Sequence, residues 1–300
     1  MRAASSSPTT PRAARSASTS IAERTVRLLV TGGSGRLGRW VVEELRGDHE
    51  VVVAGLEETP PPDALRPGVR YEQADLNDAD AVARVAEGVE AIVHLAAIPS
   101  PIGREPEHVF ANNMISTFNV VEAAIRRDAR KVIYSSSGSA LGFAFRFREM
   151  VPDYMPMDEE HPLRPQDAYG LSKWLGEEIL EAATRRTGIR TIVLRPTSVV
   201  GPGDYAERVP RMLDHAAGAG IFAYVDARDF ARAVRAALED TEIEHDRFFI
   251  TADDAMSREP LAVAFPRRFP GSEAACAGLT GTEGPISCAK AKRMLGYRPR

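Results

Sequence analysis

Short apolar runs and longer amphipathic stretches alternate along the chain from Val26 to about Val200. The runs are rich in β-branched residues and read VRLLVTGG, EVVVAGL, VRYEQADL, AIVHLAA, KVIYSSS and TIVLRPTSVV. Stretches with helical periodicity, such as GRLGRWVVEELRG and AYGLSKWLGEEILEAATRRTG, separate them. Strands that are apolar throughout are typical of a parallel sheet covered by helices on both faces. The pattern therefore predicts an α/β fold with a Rossmann-type doubly wound parallel sheet.

The alternation is interrupted by a long segment rich in proline, methionine and aromatic residues, residues 143–168. Loops of this length inside a compact domain are usually lids or binding segments, so we predict a substrate loop here. Residues 203–225 and 253–285 are expected to be irregular, with a helix (DFARAVRAALED) and a strand (RFFITA) between them. We therefore predict a dinucleotide-binding domain over residues 25–202 and a small C-terminal substrate-binding lobe over residues 203–300. The lobe is interleaved with the last strand and helices of the core.

The first residues differ in composition from the remainder. They are rich in Ser, Thr, Ala and Pro, contain three arginines, and hold no acidic residue before Glu23. Transit peptides have a similar composition, whereas a secretory signal would need an apolar segment after the arginines. We interpret residues 1–24 as a disordered leader.

Composition and charge narrow the class of partner. The chain has 300 residues, 44% of them hydrophobic, and a formal net charge of −4. This charge gives no reason to expect nucleic acid, and no apolar run approaches the length of about 18 residues needed for a membrane span. Two cysteines, Cys276 and Cys288, fit a reducing, cytoplasmic setting. The six histidines have no paired metal-ligand spacing, so no metal site is predicted.

A glycine-rich turn follows the first predicted strand directly and precedes a helix. In TGGSGRLG, Gly32, Gly35 and Gly38 have the spacing G-x-x-G-x-x-G. A tight turn of this kind lets the backbone approach a pyrophosphate at a helix N-terminus. The strand before and the helix after it predict a dinucleotide-binding site.

A tyrosine and a lysine stand four residues apart at the start of a strongly helical segment. Tyr169 and Lys173 in AYGLSK would share one helix face. A tyrosine normally titrates near pH 10, but a neighbouring cation favours the phenolate and lowers its pKa. The pair therefore predicts a proton-transfer site.

These motifs together resemble the extended short-chain dehydrogenase/reductase family, also called the NAD-dependent epimerase/dehydratase family. The resemblance covers about residues 26–240. It includes Asp75-Leu76 after the third strand, the segment His94–Ala97, Asn113 in ANNMIST and the Arg-Pro stretch in LRPTSVVGPG. It implies a bound NAD(P) and the following cofactor-binding residues: Gly32, Gly35, Arg36, Leu37, Gly38, Asp75, Leu76, Leu95, Ala96, Ala97, Tyr169, Lys173 and Pro196.

The resemblance also implies the catalytic set Ser137, Tyr169, Lys173 and Asn113. Tyr169 would be the general acid/base, and Lys173 its activator and a ribose ligand. In the family the active hydroxyl lies five residues before a glycine that closes the loop, and counting back from Gly142 gives Ser137. Ser136 is the alternative if the count slips by one residue.

The second strand departs from the family pattern. It usually ends in an acid that holds the adenosine ribose, but here that position is Gly55. Glu57 and Glu58 follow and would oppose a 2′-phosphate, whereas Arg36 could serve NADP. We expect NAD(P), with NAD favoured.

The reaction class is narrowed but not decided. The family's 4,6-dehydratases carry Asp-Glu after the active residue, and Gly138 and Ser139 stand there instead, so a dehydratase is not expected. The short segment Asp204–Ala223 resembles that of uronate dehydrogenases. We therefore predict hydride transfer on a sugar substrate, by a nucleotide-sugar epimerase or a uronate/aldose-type dehydrogenase. The alternatives are a reductase of a non-sugar carbonyl and a catalytically silent NAD(P)-binding protein. The resemblance also suggests a homodimer that packs through residues 113–127 and 169–187.

Overall fold

The fold is described by a computed structural model that covers residues 24–60, 66–214 and 221–300. The expected leader, apart from Arg24, lies outside these residues. Within the described ranges, no helix is long and apolar enough to cross a bilayer.

Seven parallel strands form the central sheet, in the order β3-β2-β1-β4-β5-β6-β9. Two further strands, β7 and β8, pair in parallel beside it. The strands are β1 Arg27–Thr31, β2 Glu50–Gly55, β3 Arg70–Gln73, β4 Ala91–His94, β5 Lys131–Ser135, β6 Arg190–Pro196, β7 Ser198–Val200, β8 Tyr224–Asp226 and β9 His245–Ile250. The predicted doubly wound parallel sheet is confirmed. Strand order reverses between β1 and β4, and ligands of such sheets bind at the carboxyl ends of the strands at this point.

Helices cover both faces of the sheet. They are α1 Gly38–Leu45, α2 Ala79–Val85, α3 Pro106–Arg126, α4 Ala168–Thr187, α5 Asp204–Asp214, α6 Ala227–Glu239, α7 Leu261–Arg268, α8 Glu273–Cys276 and α9 Ala289–Leu295. One apolar core lies between the sheet and α1, α6 and α9, and a second lies between the sheet and α2, α3 and α4. The runs that form β1, β2, β4, β5 and β6 are largely buried, which is why they lack a polar alternation, whereas β3 at the sheet edge is partly exposed.

A third apolar core holds the smaller lobe together. It combines Leu261, Phe265 and Phe269 of the C-terminal part with Phe143 and Met157 of the long segment 143–168. Backbone hydrogen bonds from Met157 to Pro285 and from Ser287 to Met157, each 2.8 Å, join the two parts. The segment is thus packed into the lobe and positioned over the carboxyl edge of the sheet.

The two regions expected to be irregular contain helices. Residues 203–225 include α5, and residues 253–285 include α7 and α8. A proline lies inside α5 (Pro210) and inside α7 (Pro266). Proline in a sequence ordinarily indicates the end of a helix, so the sequence pattern did not predict α5 or α7.

Candidate functional site

A cavity of about 560 Å³ lies at the carboxyl edge of the sheet, at the reversal of strand order. Its walls come from the glycine-rich turn, the ends of β4, β5 and β6, the start of α4, and the lobe. The cavity brings together most of the residues expected to bind cofactor or act in catalysis: Gly32, Gly35, Arg36, Leu37, Gly38, Leu95, Ala96, Ala97, Ser137, Tyr169, Lys173 and Pro196. Asp75, Leu76 and Asn113 do not line it.

The glycine-rich turn is packed too tightly for side chains. Gly32 has a φ of 70°, and a Cβ there would lie 2.8 Å from the backbone nitrogen of Ala96. A Cβ at Gly38 would lie 2.1 Å from the Gly32 carbonyl oxygen. The turn therefore presents backbone to the cavity. Helix α1 begins beside it at Gly38 and has no side-chain cap, and its N–H groups at Arg39 and Trp40 bond to Gly35 O and Leu37 O of the turn. The positive end of the helix dipole therefore lies beside the turn, where it favours an anion.

Tyr169 enters the cavity from the first turn of α4. The helix begins here because Asp167 caps it, accepting a hydrogen bond from Gly170 N at 2.9 Å. Burial raises the pKa of Tyr169, and a hydrogen bond with the Ser137 side chain works in the opposite direction. The lysine was expected to lower this pKa. In the structure the largest effect on this pKa is burial, which removes the phenol from water and raises the pKa of Tyr169.

Lys173 lies one turn further along α4 and is buried. Its ammonium donates to Ser135 O at 2.8 Å, and it lies 4.8 Å from the Tyr134 ring centroid and 5.9 Å from that of Tyr169. Burial lowers the pKa of Lys173 to about 7, while the negative charge of Glu177 favours the cation. The amine is thus held between two aromatic rings at the end of β5.

The serines of SSSGS take different partners. The side chain of Ser137 hydrogen-bonds with Tyr169, and its oxygen accepts from Ser139 N at 3.0 Å. Ser136 also lines the cavity, but its hydroxyl donates to Glu177 Oε1 at 2.5 Å. The geometry thus supports Ser137, rather than the alternative Ser136, as the hydroxyl beside the phenol.

A buried ion pair lies behind Ser136. Glu177 accepts from Arg195 Nε at 2.9 Å and Arg195 Nη2 at 2.6 Å, and both side chains are buried. Arg247 Nε also lies 3.2 Å from Glu177. The sequence reasoning missed Glu177, although its spacing of four residues from Lys173 on α4 was a usable signal.

Asn113 lies near the middle of α3 and outside the cavity. Its Oδ1 accepts from Ile98 N at 2.8 Å, and its Nδ2 donates to Ile98 O at 3.2 Å and to Ser172 Oγ at 3.0 Å. These bonds hold the loop after β4 against α4. Asn113 thus contacts α4 through Ser172, which lies between Tyr169 and Lys173 in sequence.

Asp75 and Leu76 lie after β3, two strands from the glycine-rich turn. Asp75 Oδ1 accepts from Asn77 N at 2.9 Å, and Leu76 packs in the core under α2 and α3. Leu76 O accepts from Asn119 Nδ2 at 2.9 Å. Their side chains therefore order the loop at this edge of the sheet.

The wall opposite α4 carries charge. Arg36 forms an ion pair with Asp204 at the start of α5, and Asp204 also accepts from Gly201 N at 2.6 Å. Arg208, one turn further along α5, lines the cavity and donates to Val199 O at 2.9 Å. The glycine-rich turn is therefore joined to the lobe at the mouth of the cavity.

The long segment contributes Phe145 rather than its arginines. The Phe145 ring packs edge-on against Tyr169, with centroids 6.0 Å apart. Arg146 pairs with Glu149, and Arg164 makes two hydrogen bonds to Asp153, of 2.6 and 2.8 Å. Ala144 and Phe145 also line the cavity and belong to the predicted substrate loop, and Thr197, Ser198 and Val199 belong to the Arg-Pro stretch. The sequence did not single out the remaining lining residues: Pro99, Ser139, Arg208, Ile221, Ala223 and Ile286.

A nicotinamide dinucleotide fits this set of residues. The uncapped start of α1 and the backbone of the glycine-rich turn suit a pyrophosphate. Tyr169 and Lys173 lie in the same cavity beside the ends of β5 and β6. Across the described ranges, no group of three metal-binding side chains was found.

Two curated relatives are about one third identical to the chain over the residues that align. The putative UDP-glucose 4-epimerase of Methanocaldococcus jannaschii is 32% identical over 178 residues, 58% of this chain and 56% of that protein. The uronate dehydrogenase of Pseudomonas syringae pv. tomato is 35% identical over 170 residues, 56% of this chain and 58% of that protein. The chain thus spans little more than half the length of these relatives.

Two solved structures align with this chain over most of both chains. The UDP-glucose 4-epimerase of Thermotoga maritima, crystallised with UDP-glucose, has a TM-score of 0.71 and 26% identity, and the match covers 91% of this chain and 94% of that one. A mutated uronate dehydrogenase has a TM-score of 0.67 at 22% identity, covering 92% and 82%, which shows a shared fold. The sequence profile of the NAD dependent epimerase/dehydratase family matches residues 28–250. The chain therefore belongs to the NAD dependent epimerase/dehydratase family.

Proposed function

We propose that this protein transfers a hydride to or from a hydroxyl-bearing carbon of a sugar substrate, as an NAD(P)-dependent epimerase or dehydrogenase. The observation that carries the proposal is the convergence of Ser137, Tyr169 and Lys173 on one cavity with the glycine-rich turn. A buried amine beside a buried phenol in a cavity is the arrangement that a proton-transfer site requires.

The residues divide the proton chemistry between them. In the oxidative direction Tyr169, as phenolate, takes the proton of the substrate hydroxyl while the carbon loses a hydride. Lys173 stabilises the phenolate, and Ser137 hydrogen-bonds the reacting oxygen. The bound dinucleotide supplies or accepts the hydride. Phe145 packs against Tyr169 and limits the access of water.

A sugar substrate is supported by the relatives and by one cavity residue. The relatives are named for UDP-glucose epimerisation and uronate oxidation. Arg208 in the cavity wall presents a guanidinium, which suits a sugar carboxylate or the phosphate of a nucleotide sugar. The absence of an acid at Gly138 and Ser139 argues against dehydration.

The test mixes the purified chain with NAD or NADP and a panel of uronates, aldoses and nucleotide sugars. Growth of the reduced-nicotinamide absorbance band indicates a dehydrogenase. Sugar isomerisation without a net absorbance change indicates an epimerase. Tyr169→Phe should abolish either activity while dinucleotide binding persists, because the ring stays and only the hydroxyl is lost. Retained turnover in Tyr169→Phe would contradict the proposed mechanism.

For the cofactor we propose NAD in preference to NADP. The carboxylate of Glu57 after β2 opposes a 2′-phosphate, and the cation within the glycine-rich turn, Arg36, is paired with Asp204. We also propose a cytoplasmic location, supported by the two buried free thiols, Cys276 and Cys288.

We further propose a homodimer that packs through α3 and α4. The outer face of α3 carries Ile115 and Phe118, which are 46% and 51% exposed. The neighbouring helix α4 adds the half-buried Leu171 and Leu175. The occupant we assign to this apolar face is a second copy of the same chain, since a two-fold axis would pair it with itself.

A further inference from the structure

The end of β2 lacks a side chain at the position where an acid would normally hold the adenosine ribose. Position 55 lies on the same face of the sheet as Val51 and Val53, since alternate residues of a strand share a face. The glycine-rich turn covers that face, because a Cβ at Gly33 would lie 2.8 Å from Val53 Cγ2. A side chain at position 55 would therefore point toward the dinucleotide turn.

Two neighbouring side chains occupy the space that Gly55 leaves open. A Cβ at Gly55 would lie 2.5 Å from Tyr71 Oη and 3.1 Å from Glu57 Oε2. Tyr71 reaches this point from β3, where it is in register with Val53. The strand-end acid is thus not merely missing. Its place is taken by a phenol and a carboxylate from positions 71 and 57.

Tyr71 fixes Glu57 in this place. Its hydroxyl donates to Glu57 O at 2.8 Å and lies 3.3 Å from Glu57 Oε2. Burial and the charge of Glu57 raise the pKa of Tyr71, so the phenol remains a donor. Gln73 Nε2 also donates to Leu56 O at 3.0 Å, which holds the same stretch of chain.

We propose that Glu57, held by Tyr71 in the space above Gly55, replaces the strand-end acid of the family and selects NAD over NADP. Its carboxylate accepts hydrogen bonds from the adenosine ribose hydroxyls and repels a 2′-phosphate. This assignment rests on the proposed dinucleotide site. It identifies the residue of that site that would bind the adenosine ribose.

The neighbouring charged residues provide a control for a substitution of Glu57. Glu58 is exposed and has the same charge, but the hydrogen bonds of the Tyr71 hydroxyl go to Glu57. Glu58 is therefore a matched control. Arg36, the cation considered for a 2′-phosphate, is paired with Asp204.

The test measures dissociation constants of NAD and NADP by isothermal titration calorimetry on the full chain, which separates cofactor selection from catalysis. Glu57→Gln should weaken NAD about tenfold and lower the ratio of the NADP to the NAD dissociation constant by about tenfold or more. Glu58→Gln should leave both constants within about twofold. Tyr71→Phe keeps the ring but frees Glu57, and should lower the ratio by about threefold.

The outcomes separate this assignment from the proposed function. A Glu57→Gln variant that binds NAD and NADP in the wild-type ratio overturns the role of Glu57 but leaves the dinucleotide site intact. Equal weakening of both dinucleotides in Glu57→Gln or Tyr71→Phe would indicate a purely structural role and would also overturn it. A wild-type chain that binds neither dinucleotide contradicts the proposed function itself.

Discussion

Lys173 is a cation that the folded chain keeps out of water. Its ammonium has one hydrogen bond from the protein, to Ser135 O, and its remaining surroundings include two aromatic rings. Burial lowers its pKa to about 7 from the ordinary 10.5. Below the lower of these values both the folded and the unfolded state hold the proton, so the folded state bears the full cost of burying the charge.

We therefore expect Lys173→Met to lower turnover by about 100-fold or more while raising stability. At about pH 6 its free energy of unfolding should exceed that of wild type by about 1 kcal/mol, because a buried cation is replaced by an apolar chain. Between about pH 7 and 10.5 the wild type releases this proton more readily when folded, so its stability rises with pH and the advantage shrinks. Urea unfolding at about pH 6 and about pH 9 measures the difference.

Tyr169→Phe is the matched control for this experiment. It removes activity but leaves Lys173 buried, so its stability should follow the wild-type dependence on pH over the same window. A Lys173→Met variant less stable than wild type at both pH values would contradict the view that the buried amine costs stability.

For single residues, the sequence predicted contacts between neighbours on one helix and missed contacts between residues that are far apart in the chain. Tyr169 and Lys173 are four apart on one helix, so their shared face follows from helix geometry alone. The partner of Ser136 is Glu177, which is 41 residues away, and only the packing of α4 on β5 brings them together. The hydrogen bonds of Asn113 with Ile98 and Ser172 are likewise contacts that sequence spacing does not predict.

Among the elements, α6 ends against a buried side chain from the sheet. Lys131 at the start of β5 donates to Ala237 O at 2.6 Å, to Leu238 O at 3.3 Å and to Asp240 O. These are carbonyls of the last turn of α6 and the residues after it, which have no partner within the helix. A cation there also opposes the negative end of the helix dipole.

Burial lowers the pKa of Lys131 to about 8, so this cation also carries a cost of burial, but three carbonyls accept from it. We expect their loss of a donor to outweigh that cost, so that Lys131→Met lowers the free energy of unfolding by about 2 kcal/mol. Lys292→Met is the matched control. Lys292 pairs with Asp253 at a more exposed site, where removal of an ion pair should cost less than about 1 kcal/mol. Urea unfolding of both variants at one pH gives the comparison. Equal losses in the two would show that Lys131 does not cap α6.

The elements themselves were predictable wherever the hydrophobic period was regular. All six runs of the first 200 residues formed strands of the main sheet. For all but the edge strand β3, burial leaves a nearly continuous apolar signal. The helices α5 and α7 were not predicted, since Pro210 and Pro266 interrupt their patterns. Their positions are set by packing on the lobe core and by the Asp204 contacts, which no local pattern contains.

At the scale of the whole molecule, the two long helices α3 and α4 lie side by side on one face of the sheet. An ion pair between Arg186 and Glu122 joins them, and Asn113 Nδ2 donates a hydrogen bond to Ser172 Oγ. Their outer surface combines exposed Ile115 and Phe118 with polar neighbours. A stable dimer buries about 800 Å² on each partner, an area that two helices of 21 and 20 residues can supply. The same helix α4 carries Tyr169 and Lys173, so this interface would support the site from behind.

We expect the wild-type chain to sediment as a dimer at about 10 μM and Phe118→Glu to sediment as a monomer. In a two-fold dimer the substitution brings two like charges into an apolar contact, where they have neither water nor a counter-ion. Val263→Glu is the matched control, because Val263 is similarly exposed (48%) but lies on α7 in the lobe, and this variant should remain dimeric. Analytical ultracentrifugation of the three proteins decides the matter. A monomeric wild type, or a Phe118→Glu variant that stays dimeric, would rule out α3 as the dimer face.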